Sequence, residues 1–187
     1  MDLMAVQQWR MNIFFFILVF SFVAVWLIVN MLVVSAGLRV VRVIDGDTVV
    51  LSSGEKARLL GIDAPDMGAE SSEKAAVALE KIVNGNRVWV EGDRYGKDQF
   101  GRRLIWLWVG CESKPEFKAA DYMDKLYKAN KGRQMERWVE ENPPGCKRGI
   151  LINEELIKMD LARVYFTEKE GEMKYGERLR RIEMEKL

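Results

Sequence analysis

A chain of 187 residues with a formal charge of +1 has room for one ordinary domain plus an appendage. The near-neutral balance argues against a protein whose main task is coating nucleic acid by counterion release. The absence of histidine removes Ser-His-Asp triads, histidine acid–base chemistry and histidine-ligated zinc, and two cysteines are too few for a thiolate zinc site.

Hydrophobic residues make up 49% of the chain, and they are unevenly spread. After a short tail (1–12), no charged residue occurs from Met11 to Leu38. The apolar run from Ile13 to Val34 would form a helix of about 33 Å at 1.5 Å per residue, which matches a bilayer core. Residues 13–36 therefore predict one transmembrane helix, apolar on every face as no buried soluble helix is. A cleaved secretory signal is the alternative, because Val34-Ser35-Ala36 supplies the small residues a signal peptidase prefers. Arg10 on one side, and Arg39 and Arg42 on the other, lean weakly toward a cytoplasmic domain.

The domain predicted at 38–187 starts at once. Arg39 to Ile44 reads as a strand by its β-branched content, Asp45-Gly46-Asp47 as a turn, and Thr48 to Leu51 as a second strand. Ser52 to Glu55 is a tight turn before a third strand, Lys56 to Ile62. Ser71 or Ser72 is placed to cap a helix whose apolar face carries Ala75, Ala76, Leu79, Ile82 and Val83, ending at Asn84-Gly85. Arg87 to Glu91 and Leu104 to Val109 are the fourth and fifth strands. A charged insertion at about 112–148 predicts one or two amphipathic helices closed by Pro143-Pro144-Gly145. A helix starting near Asn153, a short extended piece at Leu161 to Tyr165 and a C-terminal helix at Glu172 to Leu187 complete the chain. The element order is that of an α+β protein, a five-stranded OB-fold β-barrel with flanking helices.

Function is written in the polar residues of the strand ends. Asp47 and Asp63 are hard oxygen donors on neighbouring strands, suited to calcium rather than to a softer metal. Arg58 and Arg102 are planar, permanently charged forks that match phosphate oxygens. Phosphodiester hydrolysis needs both kinds of group, because negative charge grows on the phosphoryl oxygens in the transition state. Arg94, Lys97 and Arg103 could steer a polyanion toward them.

Three motifs in order sharpen this picture: Val43-Ile44-Asp45-Gly46-Asp47-Thr48-Val49, Arg58-Leu59-Leu60-Gly61-Ile62-Asp63-Ala64-Pro65 and Phe100-Gly101-Arg102. With Asn153-Glu154 and Leu161-Ala162-Arg163-Val164, the chain from Arg39 to about Tyr165 resembles the thermonuclease (staphylococcal nuclease-like) family. The resemblance implies a calcium-dependent endonuclease cleaving DNA and RNA with little sequence specificity and a preference for single strands. It implies calcium at Asp47, Asp63 and the backbone carbonyl of Ala64, braced by Asp45. It implies a phosphate clamp of Arg58 and Arg102, and a nucleotide pocket shaped in part by Tyr165. Asp66 stands where the family carries a glutamate general base. It is one methylene shorter, and a shift of about 1 Å can cost about a hundredfold in rate; Glu70 is a nearby candidate substitute.

Cys111 and Cys146 flank the insertion, and a disulfide between them would clip a long loop. A disulfide and a weak two-carboxylate calcium site both suit a domain facing outside the cytoplasm. Two readings follow: a nuclease anchored to membrane lipid by its N-terminal helix, or a nuclease-like module that binds nucleic acid or protein without cleaving.

Overall fold

The computed structural model describes residues 16–26, 37–65, 68, 70–129, 139–166 and 173–186, with the side chains of Glu70, Tyr127 and Ala129 excepted. The chain divides into two compact units, 1–37 and 38–187. In the first, residues 16–26 form helix α1, and large apolar side chains are exposed along it, among them Phe16 at 70%, Phe20 at 78% and Phe22 at 74%. No helix among the described residues is long and apolar enough to cross a membrane. The rest of the predicted 13–36 span lies outside the described residues.

The second unit is built on a six-stranded sheet. Strands β1 (Val40–Val43), β2 (Thr48–Leu51) and β3 (Lys56–Leu59) form an antiparallel meander. β3 then pairs in parallel with β6 (Arg103–Val109), which is flanked by β5 (Val88–Glu91) and β7 (Ile150–Leu151), both antiparallel to it. The sheet is not the closed five-stranded barrel expected from the element order. Its ladder runs β1-β2-β3-β6-β5. Among the described residues, the backbone link between the end strands is the Val88 N–H donating to Leu38 O at 2.8 Å.

The expected third strand is broken in two. Gly61 takes φ +72°, a left-handed conformation that ends β3, and β4 (Ile62–Asp63) turns away to pair with β8 (Arg163–Val164) in a separate two-stranded sheet. That region of φ is open to glycine at little steric cost. The space around Gly61 is also closed, since an added Cβ would lie 2.6 Å from Leu179 Cδ1. Turn and strand are anchored by Asn153, fully buried on α4 (Ile152–Lys158). Its Nδ2 donates to Leu60 O at 2.8 Å and its Oδ1 accepts from Leu107 N at 3.1 Å. One carboxamide thus satisfies backbone groups where the two sheets part.

α2 (Glu70–Val83) starts ahead of Ser71 and Ser72, which lie inside its first turn, and ends where Gly85 adopts φ +72°. It packs Ala75, Leu79 and Val83 into the core with Val49, Leu51, Ile105 and Leu107. α5 (Gly176–Met184) is shorter than the predicted C-terminal helix. Of the predicted insertion helices, α3 (Tyr122–Ala129) is described, and residues 130–138 lie outside the described set. The insertion's two ends are joined by the Cys111–Cys146 disulfide, with Cα atoms 4.1 Å apart.

Candidate active site

The turn between β1 and β2 begins the site. Ile44 N donates to Thr48 O at 2.8 Å and closes it, while Asp45 Oδ1 accepts from Asp47 N at 3.0 Å. Gly46 is needed here for space: an added Cβ would lie 2.5 Å from Ala64 Cβ and 2.7 Å from Ala75 Cβ. The Asp-Gly-Asp turn is therefore pressed against both the β4 exit and α2, which fixes Asp45 and Asp47 relative to Ala64.

Pairing of β2 with β3 sets Thr48 opposite Arg58. Arg58 then reaches both carboxylates, with Nη1 at 2.5 Å from Asp47 Oδ1 and Nη2 at 2.7 Å from Asp63 Oδ1. Asp47 is buried, with Oδ2 accepting from Ala64 N at 3.2 Å and Oδ1 from the Thr48 hydroxyl at 2.9 Å. Burial pushes the Asp47 carboxyl above its usual range, against the pull of Arg58, the Ala64 amide and Thr48. Burial also draws the Arg58 guanidinium down, but Asp47 and Asp63 outweigh it and hold its pKa above the ordinary value.

The parallel β3–β6 register brings Arg103 beside Ala57, so the loop before β6 arrives next to Arg58. Arg102 Nη1 donates to Thr48 Oγ1 at 3.2 Å. The Thr48 hydroxyl thus accepts from Arg102 and donates to Asp47, linking the two expected clamp arginines through one side chain.

Asp98 holds the second arginine, and the sequence reading gave it no role. Its Oδ2 accepts from Arg102 Nε at 2.6 Å, and its Oδ1 accepts from the backbone N–H groups of Phe100 and Arg102, each at 2.9 Å. Burial pushes Asp98 up, but these hydrogen bonds outweigh it and hold the carboxyl below the usual range. The clue in the sequence was the spacing: an aspartate two and four residues before amides of a Gly-containing turn. Phe100 is 74% exposed, with its ring 5.4 Å from the Arg102 guanidinium carbon.

The structure thus gathers Asp45, Asp47, Arg58, Asp63, Ala64 and Arg102 around the start of β2, the end of β3, β4 and the loop before β6. Tyr165, 47% exposed, follows β8, and its N–H donates to Gly61 O at 3.0 Å beside β4. Asp66 lies outside the described residues. Among the described residues, no group of three or more carboxylate or thiol side chains is gathered as a metal cage. A cation here would draw on two carboxylates, with backbone oxygen and water making up the shell. Both carboxylates converge within the span of one guanidinium, and their oxygens are of the hard type that calcium takes, so the donor chemistry fits.

The profile described as "Staphylococcal nuclease homologue" matches residues 56–186. The thermonuclease of Staphylococcus intermedius is 35% identical over 80 residues, covering 38% of this chain and 48% of that protein. The thermonuclease of Staphylococcus hyicus is 29% identical over 103 residues, 49% of this chain and 61% of that protein. Protein ParB of Escherichia coli is 40% identical over 77 residues, 40% of this chain and 42% of that protein. The chain therefore spans between 42% and 61% of the length of these curated relatives. The profile match runs from the start of β3 through α5 and takes in Arg58, Asp63 and Arg102, so the chain belongs to the staphylococcal nuclease homologue family.

Proposed function

We propose that this chain is a calcium-dependent phosphodiesterase that hydrolyses DNA and RNA with little sequence specificity. The observation that carries the reading is the hydrogen-bonded group Asp98–Arg102–Thr48–Asp47–Arg58–Asp63, which joins two guanidiniums to two prospective metal-binding carboxylates. Family relatives named thermonuclease support it.

In this reading Asp47, Asp63 and the Ala64 carbonyl would hold calcium, which supplies Lewis-acid polarisation of a phosphoryl oxygen. Arg58 and Arg102 grip the non-bridging oxygens and gain strength as charge accumulates there. Water attacks phosphorus, the bond to the 5′-oxygen breaks, and Asp66 is the proposed acceptor of the water's proton. Asp45 acts on the metal loop through the Asp47 amide. Tyr165 is proposed to border the nucleotide. Arginines that grip phosphates do not read base edges, which accounts for low specificity; a splayed single strand presents its backbone best.

We also place the domain at a membrane surface, on the outer side of the cytoplasm. Exposed apolar side chains along α1 support an anchor in lipid, and the disulfide supports an oxidising compartment. A secretory signal cleaved before Gly37 is the alternative for the N-terminus. A non-cleaving binding module is the second functional reading, favoured by the shorter side chain at Asp66.

The test is cleavage of single-stranded DNA by the full chain in mild detergent, with calcium or with chelator, beside Arg102→Ala. Calcium-dependent cleavage that falls by about a hundredfold or more in the variant is expected. A folded protein that binds DNA but leaves it intact in calcium would overturn the enzyme reading. An Asp66→Glu variant that then cleaves would trace the defect to the missing methylene.

A further inference from the structure

A cavity lies at the other end of β6. Its volume is about 520 Å³, and it is bounded by the residues that enter β5 and by those that follow β6 up to Lys114. Arg87 stacks its guanidinium 4.2 Å above the Trp89 ring on one wall. Lys114 and Ser113 stand on the other. Among the described residues neither Arg87 nor Lys114 has an ion-pair partner. The one carboxylate in the lining, Glu112, is already engaged, accepting from Arg148 N at 2.7 Å and from Arg148 Nε at 3.0 Å. The uncompensated charge facing the cavity is therefore positive.

The walls are held in place. The Cys111–Cys146 disulfide ties the segment after β6 to the end of the insertion, and Ser113 N donates to Gly145 O at 3.0 Å. Trp89 is fixed by ladder pairing with the buried Trp108. A cavity of this size accommodates a small organic ligand. An arginine already layered on an indole offers a planar cation for a nucleobase to stack on, and an ammonium across from it suits a phosphate.

We infer that this cavity binds a nucleotide unit of the substrate strand remote from the bond that is cut. The inference rests on the phosphodiesterase reading. β6 from Arg103 to Val109 is about 20 Å long at 3.3 Å per residue. One nucleotide cannot lie both beside Arg102 and beside Arg87, but a longer strand can reach both places. The second site would raise affinity for long strands and leave short ones unaffected.

The experiment measures anisotropy of labelled single-stranded DNA with the full chain in detergent and chelator. It compares strands of about 4 and about 16 nucleotides across a salt series. The variants are Arg87→Ala/Lys114→Ala and, should the double variant fold poorly, Lys114→Ala alone. Loss of the one phosphate contact, at Lys114, should cut the salt slope for the long strand by about 0.7 in either variant, and loss of the Arg87 stack should weaken long-strand binding further in the double variant at every salt concentration. Short-strand binding should stay as in the unaltered chain. Cleavage of the short strand in calcium should also be unchanged. An unchanged long-strand slope, with cleavage intact, overturns the remote site and leaves the nuclease standing. Equal weakening for both strand lengths makes the cavity a mononucleotide site and likewise overturns the proposal. No binding and no cleavage by the unaltered chain sinks both readings.

Discussion

Arg58 Nη1 lies 2.5 Å from Asp47 Oδ1, and the other arm of the same guanidinium lies 2.7 Å from Asp63. The side chain proposed to grip phosphate thus also pairs with both carboxylates proposed to hold calcium. A cation and this guanidinium compete for the same negative charge, so removing Arg58 should help metal binding while harming catalysis. Arg58→Ala should bind calcium several-fold more tightly by titration calorimetry or terbium luminescence. Its cleavage rate should fall by about 100- to 1000-fold. Weaker metal binding in the variant would mean that Arg58 chiefly holds the carboxylates in place.

Asp98 makes a separate prediction, because it fixes Arg102 through the side chain and the local backbone together. Asp98→Asn keeps the shape but loses the charge that grips Nε, and kcat should fall by about tenfold or more with KM less affected. The acid response carries a sign. The folded carboxyl titrates below its ordinary value of 3.8, so the stability it contributes is present above that pH and is lost as pH falls through the lower, folded value. Urea midpoints should decline less steeply below pH 3.8 in Asp98→Asn than in the unaltered chain. Parallel acid profiles would remove Asp98 from this role.

Much of the fold was legible because the local signals were strong. β2, β5 and β6 fall where β-branched and aromatic runs place them, and Asn84-Gly85 stops α2 as the left-handed glycine requires. The break in the third strand is not legible locally, because Lys56 to Ile62 is continuous in pattern. Its break depends on Gly61 meeting Leu179 and on Asn153 holding Leu60 O, contacts more than 90 residues away along the chain for the second of these. In the site, the carboxylates and arginines were readable as residue types. The Thr48 link and the Asp98 brace were not, since a hydroxyl in a strand and an aspartate in a turn are ordinary until folding sets an arginine against each.

The disulfide should matter to the insertion more than to the sheet. Cys111 and Cys146 are separated by 35 positions, for which the loop-entropy model gives about 4 kcal/mol. Cys111→Ser/Cys146→Ser should lower the urea midpoint accordingly and expose Glu112 to Pro144 to protease before β5 or β6. An unchanged midpoint with and without reductant would show that the Glu116 N to Pro144 O and Ser113 N to Gly145 O hydrogen bonds already close the loop.

Among the described residues, Lys174 and Glu91 form the most deeply buried ion pair, at 2.9 Å with side chains 0% and 1% exposed. Lys174 Nζ also donates to Gly92 O and Lys118 O, and Glu91 accepts from Tyr175 Oη at 2.8 Å. The pair therefore ties the segment that leads into α5, and the insertion at Lys118, to the end of β5. Burial pushes Glu91 above its ordinary 4.5, and Lys174 is the main group opposing that rise. Lys174→Met should cost about 3–5 kcal/mol near neutral pH, because it strands a buried carboxylate. The folded value of Glu91 then rises further. A raised acid favours the native state where it is protonated and loses that advantage as pH climbs from the unfolded value through the folded one. The deficit of Lys174→Met should therefore shrink as pH is lowered toward 4.5, and Lys174→Met/Glu91→Gln should recover part of it at neutral pH. Chemical denaturation at neutral and acid pH decides the matter. A deficit that is equal at both would mean that Lys174 contributes through packing and its two backbone hydrogen bonds rather than through Glu91.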